Sequence, residues 1–306
     1  MYEIVSFEEN QAASIARLLN MTYPYDSVTT WSVIRTTVLD PNFDPSLTFV
    51  AMEDGIPIGC AIGATRSKEP KELINKEHAW LKLFAIAPDQ LHSGLADRLI
   101  SQVESELMER GYKDIRATDF AGWYVFPGIN SRSEDILQFF LRKGYSKVAE
   151  TTDYVIDLAG FSIPSLVKEE EERQRREGTV YRIPDKSEKE TIASWVLNNN
   201  GPILSFETIM SFRHDPPGII IAEKEGNIVG LGLISALETN WLGPIIVSEN
   251  DQKIGEVLLY KVAWEMKLRG FDRVLISRAS ESPLYAQIPN IIKVKHYLIL
   301  SKNLEL

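Results

Sequence analysis

One cysteine in 306 residues, Cys60, leaves no internal disulfide, and the opening MYEIVSFEEN lacks the basic-then-apolar pattern of a secretory leader. Both absences predict a cytoplasmic protein. No apolar run approaches the ~18 residues that span a bilayer, GIIIA and YLIL being typical of the longest, so no membrane anchor is expected. Positive charge is scarce too: 33 Lys and Arg against 43 Asp and Glu give a net charge of -10. Broad binding to nucleic acid or an anionic membrane needs a field that attracts phosphate, and this chain has the opposite one. The four histidines, His78, His92, His214 and His296, show no metal-ligand spacing, so no metal is expected. There is no G-x-S-x-G elbow, and Cys60 stands among small apolar residues as a core residue does, not as a nucleophile. What remains is an ordinary globular composition, 44% hydrophobic and 25% charged, in a chain long enough for two domains of roughly 150 residues.

The chain repeats itself. EDGIPIGCAIGA (53–64) and KEGNIVGLGLIS (224–235) both read as hairpins, with Gly55 against Gly226 and Gly59 against Gly230 at an offset of 171. ERGYKDIRATD (109–119) matches LRGFDRVLISR (268–278), where a glycine ends a helix and a strand follows, at an offset of 159. The second copy has therefore lost 12 residues between hairpin and helix end. GLGLIS also echoes a dinucleotide fingerprint, but it lies within a hairpin strand with no helix after it, which makes its glycines packing residues.

Periodicity in the first copy predicts a strand at 2–6, helices near 8–20 and 27–39, and strands at 46–53, 57–65 and 79–87. A helix at 93–110, a strand at 113–118, a helix at 133–143 and a last strand at 152–158 follow. Leu95, Leu99, Val103 and Leu107 recur every four residues and should lie on the sheet. The second copy repeats this order from about 179, after SLVKEEEERQRREG (165–178), a solvated helical linker. The expected domains are 1–160, a linker at 161–178, and 179–306.

Between the central strand and its helix lies AIAPDQLHSGLADRL, a turn of small and polar residues. A helix start leaves about four N–H groups unpaired and carries roughly half a positive charge, so a pyrophosphate can sit there if side chains allow it. Gly94 and Ala96 remove bulk, and His92 and Ser93 add polar groups. Equally, Ser93 could be an N-cap and Gly94 a tight turn.

This turn resembles the acetyl-CoA-binding motif of the GNAT superfamily of N-acetyltransferases, with Pro88, Leu91, Gly94, Leu95 and Ala96 in the motif's columns. FFLRKGY (139–145) resembles the second motif, and two such units in one chain resemble tandem members of the superfamily. The resemblance implies an α/β fold of two GNAT-like domains, each a mixed, mostly antiparallel sheet flanked by helices. It also implies acetyl-CoA as co-substrate, bound through His92 to Ala96 and through main chain at Phe84, Ala85 and Ile86.

Two departures stand out. Leu91 occupies a column usually Arg or Gln, and Phe140 replaces the tyrosine that serves the family as general acid. The loop RATDFAGWYVFPGINSRSEDI (116–136) offers Tyr124 as a substitute acid and Asp119 as a base, or simply covers the sheet edge. Glu77 and His78 are further candidate bases. In the second copy Tyr285 falls in the acid column, but no alignment of the turn SENDQKIGEV keeps both small residues. Either Gly255 and Val257 or Lys253 take their columns, and Glu249, Asp251 and Glu256 add negative charge. That half is expected to be structural or to complete the acceptor site. The expected activity is transfer of an acetyl group to the primary amine of a small molecule, by a monomer or homodimer. The alternative is an inactive acyl-CoA-binding or interaction protein of the same fold.

Overall fold

The computed structural model describes residues 2–74, 77–234, 240–248 and 252–305. The chain divides into two compact units, residues 1–151 with 296–306, and residues 152–295. The boundaries read from the sequence thus fall differently: the segment 152–160 goes with the second unit and the last residues with the first.

In the first unit, β1 (Glu3–Val5), β2 (Thr48–Glu53), β3 (Ile56–Thr65) and β4 (His78–Ile86) run antiparallel in that order. Helices α1 (Ala12–Thr22) and α2 (Thr30–Thr36) lie between β1 and β2. After β4 the chain forms α3 (Leu95–Glu109) and then β5 (Asp114–Ala117), which pairs with β4 in parallel. The short β6 (Ile129–Asn130), α4 (Glu134–Arg142) and β7 (Ser146–Asp157) follow. The neighbour of β5 on its other side comes from the chain's far end, with Leu300–Asn303 antiparallel to Asp114–Ala117.

The apolar stripe of α3 is buried as its spacing requires: Leu95, Leu99, Val103 and Leu107 are all at most 1% exposed. Gly59 in β3 is what lets the helix come so close, since a Cβ there would lie 2.7 Å from Leu99 Cδ1 and 3.0 Å from Ile86 Cδ1.

The second unit contains α5 (Ser165–Arg176), β8 (Thr179–Arg182), α6 (Lys189–Asn200), α7 (Pro202–Ser211), β9 (Ile219–Lys224) and β10 (Asn227–Ile234). Then come β11 (Leu242–Val247), α8 (Gln252–Leu268) and β12 (Arg273–Ile276). Strands β8 to β11 form an antiparallel sheet in the order β11-β10-β9-β8. The edge partner of β12 is again borrowed: Arg273–Ile276 pair with Tyr154–Asp157 of β7. The final strand is β13 (Ile291–Asn303).

The stretch read as a linker is helix α5, which buries only Val167 and Gln174 and is tied to α8 by Glu171 and Lys261 at 2.8 Å. The repeat extends to packing: Gly230 lies under Leu258 of α8 as Gly59 lies under Leu99 of α3, a Cβ at Gly230 falling 3.0 Å from Leu258 Cδ1. Among the described residues no helix is long and apolar enough to cross a membrane, and no three His, Cys, Asp or Glu side chains gather as metal ligands.

Candidate active site

The sheet of the first unit opens between β4 and β5. His78 to Leu81 pair with Asp114 to Ala117, the Thr118 N–H donates to the Leu81 carbonyl at 2.9 Å, and the pairing ends there. Just past this point β4 carries an extra residue. Ile62 and Gly63 of β3 face Leu83 and Leu81, so Lys82 is bulged out of register. Beyond the bulge the Ala87 N–H donates to the Ile58 carbonyl, and alternation turns the N–H and C=O of Ile86 and Phe84 toward the edge β5 has left. The Thr22 hydroxyl accepts from the Ile86 N–H at 2.9 Å and lies 3.0 Å from the Ile86 carbonyl. Ala85 pairs with Cys60 of β3 and turns away from the opening. Of the three residues expected to present main chain here, Phe84 is best placed.

At the end of β4 lies the turn expected to hold a pyrophosphate. Gly94 is the N-cap residue of α3, with φ +84°, and no side chain caps the helix. Positive φ at this position selects glycine for conformation rather than for space. The Ser93 hydroxyl donates to the Gln90 carbonyl (2.9 Å), and only a long 3.4 Å contact reaches it from the Leu95 N–H. His92, Ser93 and Gly94 are exposed, whereas Leu95 and Ala96 are in the core, so Ala96 offers its main chain rather than an open rim.

Two cavities flank this turn and share Leu91 as a wall, which accounts for an apolar residue in that column. The smaller, about 190 Å³, lies among Leu91, His92, Asp97, Phe139, Arg142 and Lys143. The larger, about 450 Å³, runs between the end of α1, the end of β4 and the start of α4. Ser133, the N-cap residue of α4, lines it; its hydroxyl is buried and has no partner among the described residues. The hydroxyls of Tyr23 and Thr118 are buried and unpartnered in the same sense, and Thr118 adopts a strained φ of +69° where β5 leaves β4. Of the three, Ser133 lines the larger cavity.

On the other face of the bulge lies a buried charged cluster that sequence reading missed. Lys82 is 2% exposed and ion-paired with Asp40, whose other oxygen accepts from the Asn42 N–H at 2.8 Å. Lys82 Nζ stands 4.9 Å from the centre of the Phe120 ring and the Arg66 guanidinium 4.2 Å from the same ring. Arg66 donates to the Ala121 carbonyl (2.9 Å), and Arg35 to the Tyr124 carbonyl (2.7 Å). Burial pushes the Lys82 ammonium down to about 8 against the pull of Asp40, and burial lowers the Arg66 guanidinium to about 10. The visible signal was a lysine inside the apolar strand HAWLKLFAI. Its partners at 35, 40 and 66 come together only in three dimensions.

The expected catalytic residues separate. Tyr124 is buried in the loop, as are Phe120, Trp123 and Phe126. Asp119 is buried and bonded by Arg116, Nε to Oδ1 at 3.2 Å. Glu77 and His78 are not brought to the opening: His78 begins the stretch where β4 and β5 pair and contacts Asp114 at 2.6 Å, and Glu77 precedes it. Phe140 packs on Phe84. Cys60 is buried, its thiol pushed up to about 12, which suits a core residue.

The second unit repeats the strand geometry without the opening's chemistry. Trp241 bridges Leu275 in parallel as Trp80 faces Arg116. Gly255 lies inside α8, where a Cβ would meet Leu284 at 3.3 Å, so it does not form the turn that one alignment gave it. Glu256 pairs with Lys253 at 3.0 Å, while Glu249 and Asp251 lie outside the described residues. Tyr285 is buried and accepts a hydrogen bond from the Ile245 N–H at 2.9 Å.

An open parallel pair, a bulged central strand and an uncapped helix start at its end are the features of the GNAT fold. Residues 13–122, all within the first unit, match the family described as "Acetyltransferase (GNAT) family". Among solved structures, a GCN5-related glucosamine N-acetyltransferase region of a fungal multi-domain β-N-acetylglucosaminidase superposes with a TM-score of 0.76 at 14% identity. That likeness covers 98% of this chain and 38% of the fungal one. A GCN5-related N-acetyltransferase from Sphaerobacter thermophilus gives 0.73 at 18% identity, covering 99% and 96%. A tandem GNAT protein from the clavulanic acid biosynthesis pathway gives 0.62 at 12% identity, covering 99% of each. No curated protein matches the sequence significantly.

Proposed function

We propose that the protein is an acetyl-CoA-dependent N-acetyltransferase acting on the primary amine of a small molecule, with the cofactor in the first unit. The observation that carries this is the parting of β4 from β5 after Leu81, leading to an uncapped α3 start at Gly94. In this reading the pyrophosphate lies on the N–H groups of 92–96, with Arg142 and Lys143 at the cavity edge to offset its charge. Pantetheine extends along the Phe84 edge, where Ser133 supplies a hydroxyl, and the thioester comes to rest near the bulge. Tyr124 is the acid of this reading, and Asp119 helps to shape the acceptor side. A cytoplasmic location is part of the reading, supported by the lone buried Cys60.

Phe140 favours a second reading, a protein that binds acyl-CoA without turnover. One assay separates them: release of free CoA thiol from acetyl-CoA in the presence of glucosamine, ethanolamine or hydroxylamine. Glucosamine enters because the fungal protein's description names it. Amine-dependent thiol release supports the enzyme; binding with no release for any amine supports the alternative.

A further inference from the structure

We propose that Lys82, held by Asp40, removes the proton from the acceptor amine before it attacks the thioester; this rests on the acetyl-transfer reading above. Three observations converge. Lys82 is the bulged residue of the central strand, and a bulge re-aims a side chain that regular alternation would send elsewhere. It is also the first residue of β4 beyond the paired stretch, two positions from Phe84, whose main chain faces the opening. The side chains of these two diverge: Phe84 goes to Phe139 and Phe140, Lys82 to Asp40 and Phe120.

The third observation is an internal control. In the second unit Gly232 pairs with Ile245 and Ile234 with Leu242, so β11 is bulged at Gly243 and Pro244. The strand offset of 161 sets Gly243 against Lys82. A register shift thus falls at the matching place around a residue with no side chain, Gly243 at a φ of 91°, so the shift itself does not call for a lysine there.

The groups facing Lys82 are Arg35 from α2, Asp40 after it, Arg66 after β3, and Phe120 after β5, beyond the Arg116–Asp119 pair. Burial and the two guanidiniums favour the neutral amine, while Asp40 opposes them and keeps proton exchange near neutrality. The step balances as follows. The acceptor arrives as an ammonium, and the Nζ lone pair takes one of its protons. The freed nitrogen bonds to the carbonyl carbon, and the C–S bond breaks with its electron pair on sulfur. The thiolate takes a proton from Tyr124, the acid of that reading, and the Tyr124 oxygen regains one from the amide nitrogen, giving amide and free thiol, while Lys82 returns its proton to solvent.

The test is kinetics of Lys82→Met and Asp40→Asn with two probes, ethanolamine, largely protonated at neutral pH, and hydroxylamine, largely unprotonated. Expected for Lys82→Met is a loss of about 10²-fold or more in kcat with ethanolamine. The loss with hydroxylamine should be much smaller, and the acetyl-CoA Kd should stay within about threefold. Asp40→Asn removes the charge that holds the ammonium up, so the acidic limb of kcat moves to lower pH. Equal losses with both probes and an unmoved limb would mean that the pair only supports the fold, overturning the proposal. So would full activity of Lys82→Met. A wild type that binds acetyl-CoA yet acetylates neither probe overturns it together with the catalytic reading, whereas a wild type that binds no acetyl-CoA removes the reading of the whole protein.

Discussion

Phe140 shows what a side chain does once a column gives up its chemistry. Its ring lies edge-on to Phe84 at 5.4 Å, Phe139 at 5.7 Å and Tyr145 at 5.0 Å, and it is fully buried. A thiol with an ordinary pKa of about 8.5 leaves tolerably well near neutrality, so the loss of a dedicated acid there is survivable. If Tyr124 supplies the proton instead, Tyr124→Phe should lower kcat about tenfold or more with acetyl-CoA affinity unchanged. Full activity across pH would reduce Tyr124 to a wall of the loop. At this scale the sequence was half legible. The glycine turn and the missing tyrosine stand in plain view because they are local patterns. The Asp40–Lys82 pair and the Ser133 hydroxyl depend on which surfaces meet, and no spacing encodes that.

Elements were easier to read because periodicity is local: the α3 stripe and the β3 hairpin were both foreseen from it. Gly59 turns that reading into a stability prediction. Gly59→Ala puts a methyl group against Leu99 and Ile86 in a close-packed interior, and should cost about 1–3 kcal/mol, seen as a lower Tm. An unchanged Tm would mean that the helix can ride outward freely. The α3 start gives a second prediction. His92 is exposed, so His92→Glu leaves the fold intact while placing a carboxylate at the mouth of the smaller cavity. Acetyl-CoA affinity should fall about tenfold, and the salt dependence of binding should change with it. Wild-type affinity would remove the phosphates from this turn. The bulge at Lys82 escaped sequence reading because register is a property of two strands together, and one extra residue leaves the apolar pattern of β4 intact.

At the scale of the molecule, the repeat was visible in paired glycines but the strand exchange was not. An edge strand carries the same alternation whichever sheet it joins, so 152–157 and 297–303 read as the last strands of their own copies. The pairs Trp80–Arg116 and Trp241–Leu275 show that the repeat is held in register across β4–β5 and β11–β12. Chemistry has drifted while register has not. Ile245, which matches Phe84, gives its N–H to the buried Tyr285 hydroxyl, so in the second unit a side chain of the protein itself occupies the position proposed for the cofactor in the first. Lys253 stands in the first turn of α8 and pairs with Glu256 just beyond it. These differences predict one cofactor per chain. Calorimetric titration of the intact protein with acetyl-CoA tests this most directly. A stoichiometry of one that is weakened by His92→Glu is the predicted result; a stoichiometry of two, or no binding, would contradict it.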